Sequence, residues 1–115
     1  MAKIATELIP LIEKRTGLSS LSIASFCEYW QITKMALFGS VLRSDFNDNS
    51  DIDVLLKFAP NARQGLLTLA RIKHQLEEFT GREVDLLIWQ SIEKSENPIR
   101  QAEILSSAQI IYEQR

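Results

Sequence analysis

Gly39-Ser40 and, ten residues further on, Asp51-Ile52-Asp53 are the residues of this chain whose types and spacing best suit chemistry. A glycine closing an apolar run lets the backbone turn tightly and approach a ligand closely. If a short helix starts at Ser40, its free N–H groups face a phosphate, and the Ser40 hydroxyl adds a hydrogen bond. Asp51 and Asp53, spaced i and i+2 where a strand begins, project to one face. Asp85, within Glu83-Val84-Asp85-Leu86-Leu87-Ile88-Trp89, is a third acid placed where another strand begins. Carboxylates held close repel one another, and a divalent cation relieves the repulsion because hard cations prefer oxygen ligands. Two such ions about 3.5–4 Å apart can clamp both oxygens of an in-line phosphoryl displacement.

The candidate metal-binding and catalytic residues are therefore Asp51, Asp53 and Asp85. Gly39, Ser40 and Arg43 are the candidates for holding nucleotide phosphates, with Asp45 anchoring Arg43. Ordinary roles compete with each of these. Asp-x-Asp is also a solvated strand start, Gly-Ser a strand-to-helix turn with a serine cap, and Arg43 with Asp45 a local ion pair. It is the joint pattern that points to phosphates and Mg²⁺.

The surrounding sequence supplies elements that can position these groups. Residues 2–15 predict an amphipathic helix with Ile4, Leu8, Leu11 and Ile12 at helical spacing, stopped at Gly17. Ser19 or Ser20 can cap a second helix over 20–30, with Leu21, Ala24, Cys27 and Trp30 on its stripe. Strands are predicted at 32–38, 52–58, 83–89 and 108–113. A long helix over 62–79 carries Leu66, Leu69, Ile72, Leu76 and Phe79, and Gly81 ends it. Asn97-Pro98 reads as the N-cap and first residue of another helix. The middle of the chain is thus strand–helix–strand. Parallel neighbours there would set the start of 52–58 beside the start of 83–89, gathering the three acids. The expected fold class is α/β (α+β), one domain over 1–115 with a helical segment at 1–30.

The bulk properties exclude several alternatives. A chain of 115 residues, 45% hydrophobic and 24% charged, suits one globular domain. A net charge of −2 without a basic stretch argues against a long nucleic-acid partner. The single cysteine, Cys27, and single histidine, His74, exclude an intrachain disulfide and the common cysteine and histidine metal sites. No apolar run is long enough to span a membrane, and the N-terminal residues do not read as a secretory signal, so a cytoplasmic location is expected.

Gly39-Ser40, the ten-residue spacer and Asp51-Ile52-Asp53 resemble the signature of the nucleotidyltransferase superfamily related to DNA polymerase beta. Phe38 before the Gly-Ser pair, Arg43 and Asp45 in the spacer, and the small size make the chain similar to the minimal MNT-domain members. Many of these are antitoxins paired with HEPN-domain toxins. The resemblance covers most of the chain from Ile32 onward. It implies a small mixed sheet flanked by helices. It also implies that Asp51 and Asp53 bind Mg²⁺, that Asp85 is the third carboxylate near the acceptor hydroxyl, and that Gly39 and Ser40 hold the triphosphate of ATP. It implies transfer of AMP to a tyrosine hydroxyl of a cognate HEPN ribonuclease. Ser44 departs from the glycine that many relatives carry there. Two other readings stand beside this one: an antitoxin that neutralises its toxin by contact alone, and a small-molecule nucleotidyltransferase. His74 is expected to be a solvated surface residue, Cys27 a core residue, and Trp30 and Trp89 packing residues.

Overall fold

The structure, a computed structural model, describes residues 8–114. In chain order these form α1 (Leu8–Thr16), α2 (Ser20–Trp30), β1 (Ile32–Phe38), a 3₁₀ turn (Gly39–Leu42), β2 (Ile52–Phe58), α3 (Leu66–Thr80), β3 (Val84–Ile88), α4 (Trp89–Glu93), α5 (Pro98–Ser107) and β4 (Gln109–Glu113). The strands make one mixed sheet in the order β3-β2-β1-β4. β1 runs antiparallel to both β2 and β4, while β2 and β3 are parallel and joined through α3.

Strand alternation divides the core into two layers. Ile52, Val54, Leu56 and Phe58 of β2 pack with Ile12, Phe26, Cys27, Ile72 and Leu76, under α1, α2 and α3. Leu55 of β2 and Ala36 and Phe38 of β1 face the other way, against Trp89, Ile92 and Ile104 of α4 and α5. Each large aliphatic side chain fully buried in this way contributes about 1.5–3 kcal/mol. The two central strands are thus anchored on both faces, and the acids at the strand ends inherit a rigid base.

Local chemistry explains where the elements begin. The Ser19 Oγ accepts from the Ser22 N–H at 3.2 Å, and the Ser22 Oγ accepts from the Ser19 N–H at 3.0 Å, a reciprocal cap that starts α2. The Asn97 Oδ1 accepts from the Arg100 N–H at 3.1 Å and Pro98 opens α5, as expected. Gly81 caps α3 at φ +69°.

The structure corrects several expectations. In α2 the buried residues are Ile23, Phe26 and Cys27, whereas Leu21 is 79% exposed. Apolar residues surround that helix, so its own periodicity does not select the buried face; the sheet does. α3 begins at Leu66 rather than 62, because the Ala62 N–H closes a turn on the Ala59 carbonyl at 3.0 Å and Gly65 forms the N-cap. Its stripe is buried only in the middle, at Ile72 and Leu76, and Leu66 and Phe79 at the ends are exposed. β3 stops at Ile88; Trp89 opens a five-residue helix that is too short to show a period in sequence. The predicted start of the first helix, with Ile4, lies outside the described residues.

Cys27 is fully buried, and burial pushes its thiol up to about 12. His74 is exposed, its Nε2 2.5 Å from the Glu78 Oε1. The Trp30 Nε1 donates to the Gln75 Oε1 at 3.0 Å, fixing the ring between α2 and α3. No helix of the described residues is long and apolar enough to cross a membrane.

Candidate active site

Register brings two of the three acids together. Asp53 pairs with Phe38 across the antiparallel ladder and with Asp85 across the parallel one. Laterally paired strand residues point to the same face. Asp53 and Asp85 therefore share the face covered further along by α4 and α5. Asp51 stands just ahead of β2 and is exposed; Asp53 is half-buried and Asp85 exposed. None of the three carboxylates forms an ion pair among the described residues.

Asp53 is the perturbed member. Burial raises its pKa above the usual 3.8, the negative charges of Asp85 and then Asp51 raise it further, and Arg43 and Arg100 pull it back. Folded Asp53 thus keeps its proton to higher pH than the unfolded chain does. Between 3.8 and the raised value the folded state binds more protons, so stability falls as pH rises through that window and stays lower above it. In metal-free buffer the Tm of the wild type should fall relative to that of Asp53→Asn across this window. A pH-independent difference would show that Asp53 is not the group responsible.

Gly39 explains how Asp53 fits. Its φ is +76°, and a Cβ built there would lie 2.1 Å from the Asp53 Oδ2. The sequence reading gave this glycine to ligand approach; the structure shows that the chain's own acid occupies the space a side chain would fill. The following turn is also tighter than expected. The short helix expected from Ser40 is a single 3₁₀ turn, Gly39–Leu42, closed by the Arg43 N–H on the Ser40 carbonyl at 2.9 Å. Four residues between a strand and a polar loop leave no room for a longer helix. Any attraction for anions here comes from individual N–H groups rather than a sustained helix dipole.

Arg43 and Asp45 form the local ion pair, Nε to Oδ1 at 3.0 Å with both side chains exposed. The hydrogen bond from Arg43 holds the Asp45 carboxyl below its usual range. Exposed pairs of this kind add little stability. Arg100 of α5 also acts on Asp53 and was missed from sequence. The Asn97-Pro98 start sets the phase of its helix, but nothing in the chain order ties that helix to β2.

Among the described residues no three acidic, cysteine or histidine side chains stand together as a ready-made metal site. Yet the like charges of Asp85 and Asp51 act on Asp53, and all three offer carboxylate oxygens. The set therefore fits a hard divalent cation in chemical type, although its side chains are not closed into a cage.

Comparison with known proteins adds a family. The nucleotidyltransferase domain profile matches residues 22–111. A Methanocaldococcus jannaschii chain named for protein adenylyltransferase activity is 38% identical over 77 residues, covering 67% of this chain and 76% of its own. A solved minimal nucleotidyltransferase superposes with a TM-score of 0.59 at 29% identity, covering 77% of this chain and 85% of that one. A toxin–antitoxin structure with AMP-PNP gives a TM-score of 0.64 at 16% identity, with 85% and 76% covered. A Shewanella oneidensis structure of a tri-AMPylated HEPN toxin with its MNT antitoxin gives 0.56 at 14%, with 82% and 69% covered. The last two are likenesses of fold.

Proposed function

The chain belongs to the nucleotidyltransferase domain family, and from that premise we propose that it transfers AMP from ATP to a hydroxyl of a partner protein, a tyrosine of a HEPN-domain ribonuclease, and so acts as an antitoxin. The observation that carries this reading is the register of Asp53 with Asp85 beside Gly39. The relative named for protein adenylyltransferase activity supports a protein acceptor. The fold shared with an antitoxin seen beside its AMPylated toxin supports the choice of partner.

Asp51, Asp53 and Asp85 would hold Mg²⁺, which neutralises phosphate charge and aligns the attacking and leaving oxygens. The backbone N–H groups and the Ser40 hydroxyl in the Gly39–Leu42 turn bind triphosphate oxygens, and Arg43 adds a positive charge beside them. Asp85, exposed at the start of β3, takes the proton from the acceptor hydroxyl. The freed oxygen forms a bond to the α-phosphorus, the bond from that phosphorus to the β-bridging oxygen breaks, and pyrophosphate leaves with the electron pair.

The test is to incubate the chain with ATP, Mg²⁺ and a HEPN-domain protein encoded beside it, then to weigh that protein. The expected result is a mass increase by whole AMP units and loss of its ribonuclease activity. An unmodified partner under conditions where Mg²⁺-ATP is bound defeats the proposal.

A further inference from the structure

The loop between the Gly39–Leu42 turn and Asp51 is held by three side chains that the mechanism above does not use. Arg15, at the end of α1, donates through one Nη1 to the Val41 carbonyl at 2.9 Å and the Arg43 carbonyl at 2.6 Å. Arg82, just before β3, donates through its Nη1 to the Asn47 carbonyl at 2.8 Å and the Ser50 carbonyl at 2.9 Å. Phe46 lies between them: the Arg15 guanidinium carbon is 5.0 Å and that of Arg82 4.2 Å from its ring centroid. Within the loop, the Asn47 N–H donates to the Ser50 Oγ at 3.0 Å and the Asn47 Oδ1 accepts from the Asn49 N–H at 2.8 Å.

The connectivity gives this stack its meaning. Arg15 grips the turn assigned to phosphates. Arg82 grips the residue before Asp51 and sits three residues before Asp85. The same junction is closed by the Ile52 N–H on the Glu83 carbonyl at 3.0 Å. A spacer of polar, exposed residues would otherwise let the phosphate turn and the acids move independently. Both arginines donate to backbone carbonyls of this segment and also lie over the Phe46 ring. Lysine cannot replace this: its ammonium can bond two carbonyls, but it lacks the planar group that stacks on a ring while doing so.

We propose that Arg15, Phe46 and Arg82 are positioning residues that lock the phosphate-binding turn to the starts of β2 and β3. This rests on the nucleotidyl-transfer reading. Misplacement of a bound substrate by about 1 Å can cost some hundredfold in rate. The expected signature is therefore a fall in kcat rather than weaker nucleotide binding.

The experiment compares wild type with Arg82→Lys, Phe46→Leu and Phe46→Tyr. AMP transfer to the HEPN-domain protein is measured at saturating Mg²⁺-ATP, together with Mg²⁺-ATP affinity, Tm and amide exchange through residues 40–50. Arg82→Lys and Phe46→Leu should lose at least about tenfold in kcat with affinity changed less than about threefold. Phe46→Tyr, which keeps the ring, should restore the wild-type rate. Wild-type kcat in both damaged variants overturns the proposal, as does a loss fully explained by a smaller folded fraction. Exchange reads the lock without turnover: faster exchange in Arg82→Lys supports it, and unchanged exchange overturns it. A wild type that transfers no AMP defeats the functional reading, while the exchange comparison still decides the lock.

Discussion

Replacing Asp51 and Asp53 together by asparagine should abolish AMP transfer while leaving the fold intact and slightly more stable. Asparagine keeps the shape of aspartate but removes its charge and one carboxylate oxygen, so two anionic ligands for a hard cation are lost where the site needs them. The expected loss is roughly a thousandfold or more in kcat/KM, about 4 kcal/mol of transition-state stabilisation. The stability change runs the other way. Asp53 is half-buried, and Asp85 and Asp51 both disfavour its charged form. Removing two of three like charges should raise Tm by a few degrees in metal-free buffer at neutral pH. The same variant separates catalysis from contact. If the chain neutralises its partner by binding alone, the double variant still protects cells; if it works by modification, protection goes. Full transfer by the double variant would remove the acids from the mechanism altogether.

Gly39→Ala should be the most damaging single substitution outside the acids. Two effects meet there. An alanine in the left-handed region costs about 1–2 kcal/mol, which for a domain near this size is roughly 5 °C of Tm per kcal/mol. The new methyl would also lie 2.1 Å from the Asp53 Oδ2 and 3.1 Å from its Cγ, so the whole carboxylate has to swing aside. Gly81 supplies a matched control. Its φ is +69°, yet a Cβ there meets nothing within 4 Å. Gly81→Ala should therefore pay for backbone conformation alone and retain transfer activity, while Gly39→Ala should lose about a hundredfold or more beyond any change in folded fraction. Equal activity in the two variants would mean that the placement of Asp53 does not matter.

The sequence made the strands of this fold legible, and the helices less so. β1 and β2 are apolar runs that stop at Gly39 and just before Pro60, so their limits were readable to the residue. Parallel pairing of β2 with β3 followed from the strand–helix–strand order, and with it the meeting of Asp53 and Asp85. Helix faces were harder. Leu21 and Leu66 look like core residues by spacing, but burial depends on how far a helix overhangs the sheet, which local periodicity does not encode. Arg15, Arg82 and Arg100 were invisible for another reason. They reach the site from α1, from the end of the α3 crossover and from α5, and each acts on groups far away in the chain. An arginine at a helix end carries no local sign of the carbonyl it will meet. Phe46, the one apolar residue in a polar stretch, was the available hint.

The margin of the sheet has a consequence of its own. β3 is five residues long and ladders only with β2, so Asp85 rides on an edge strand. Opposition between Asp53 and Asp85 pushes against that short ladder rather than against the doubly flanked centre. Opening one edge ladder demands less than unravelling the domain. Native-state breathing at this border and occupancy by a cation would thus be reciprocally linked: an ion held by the acids would also fasten an edge of the sheet.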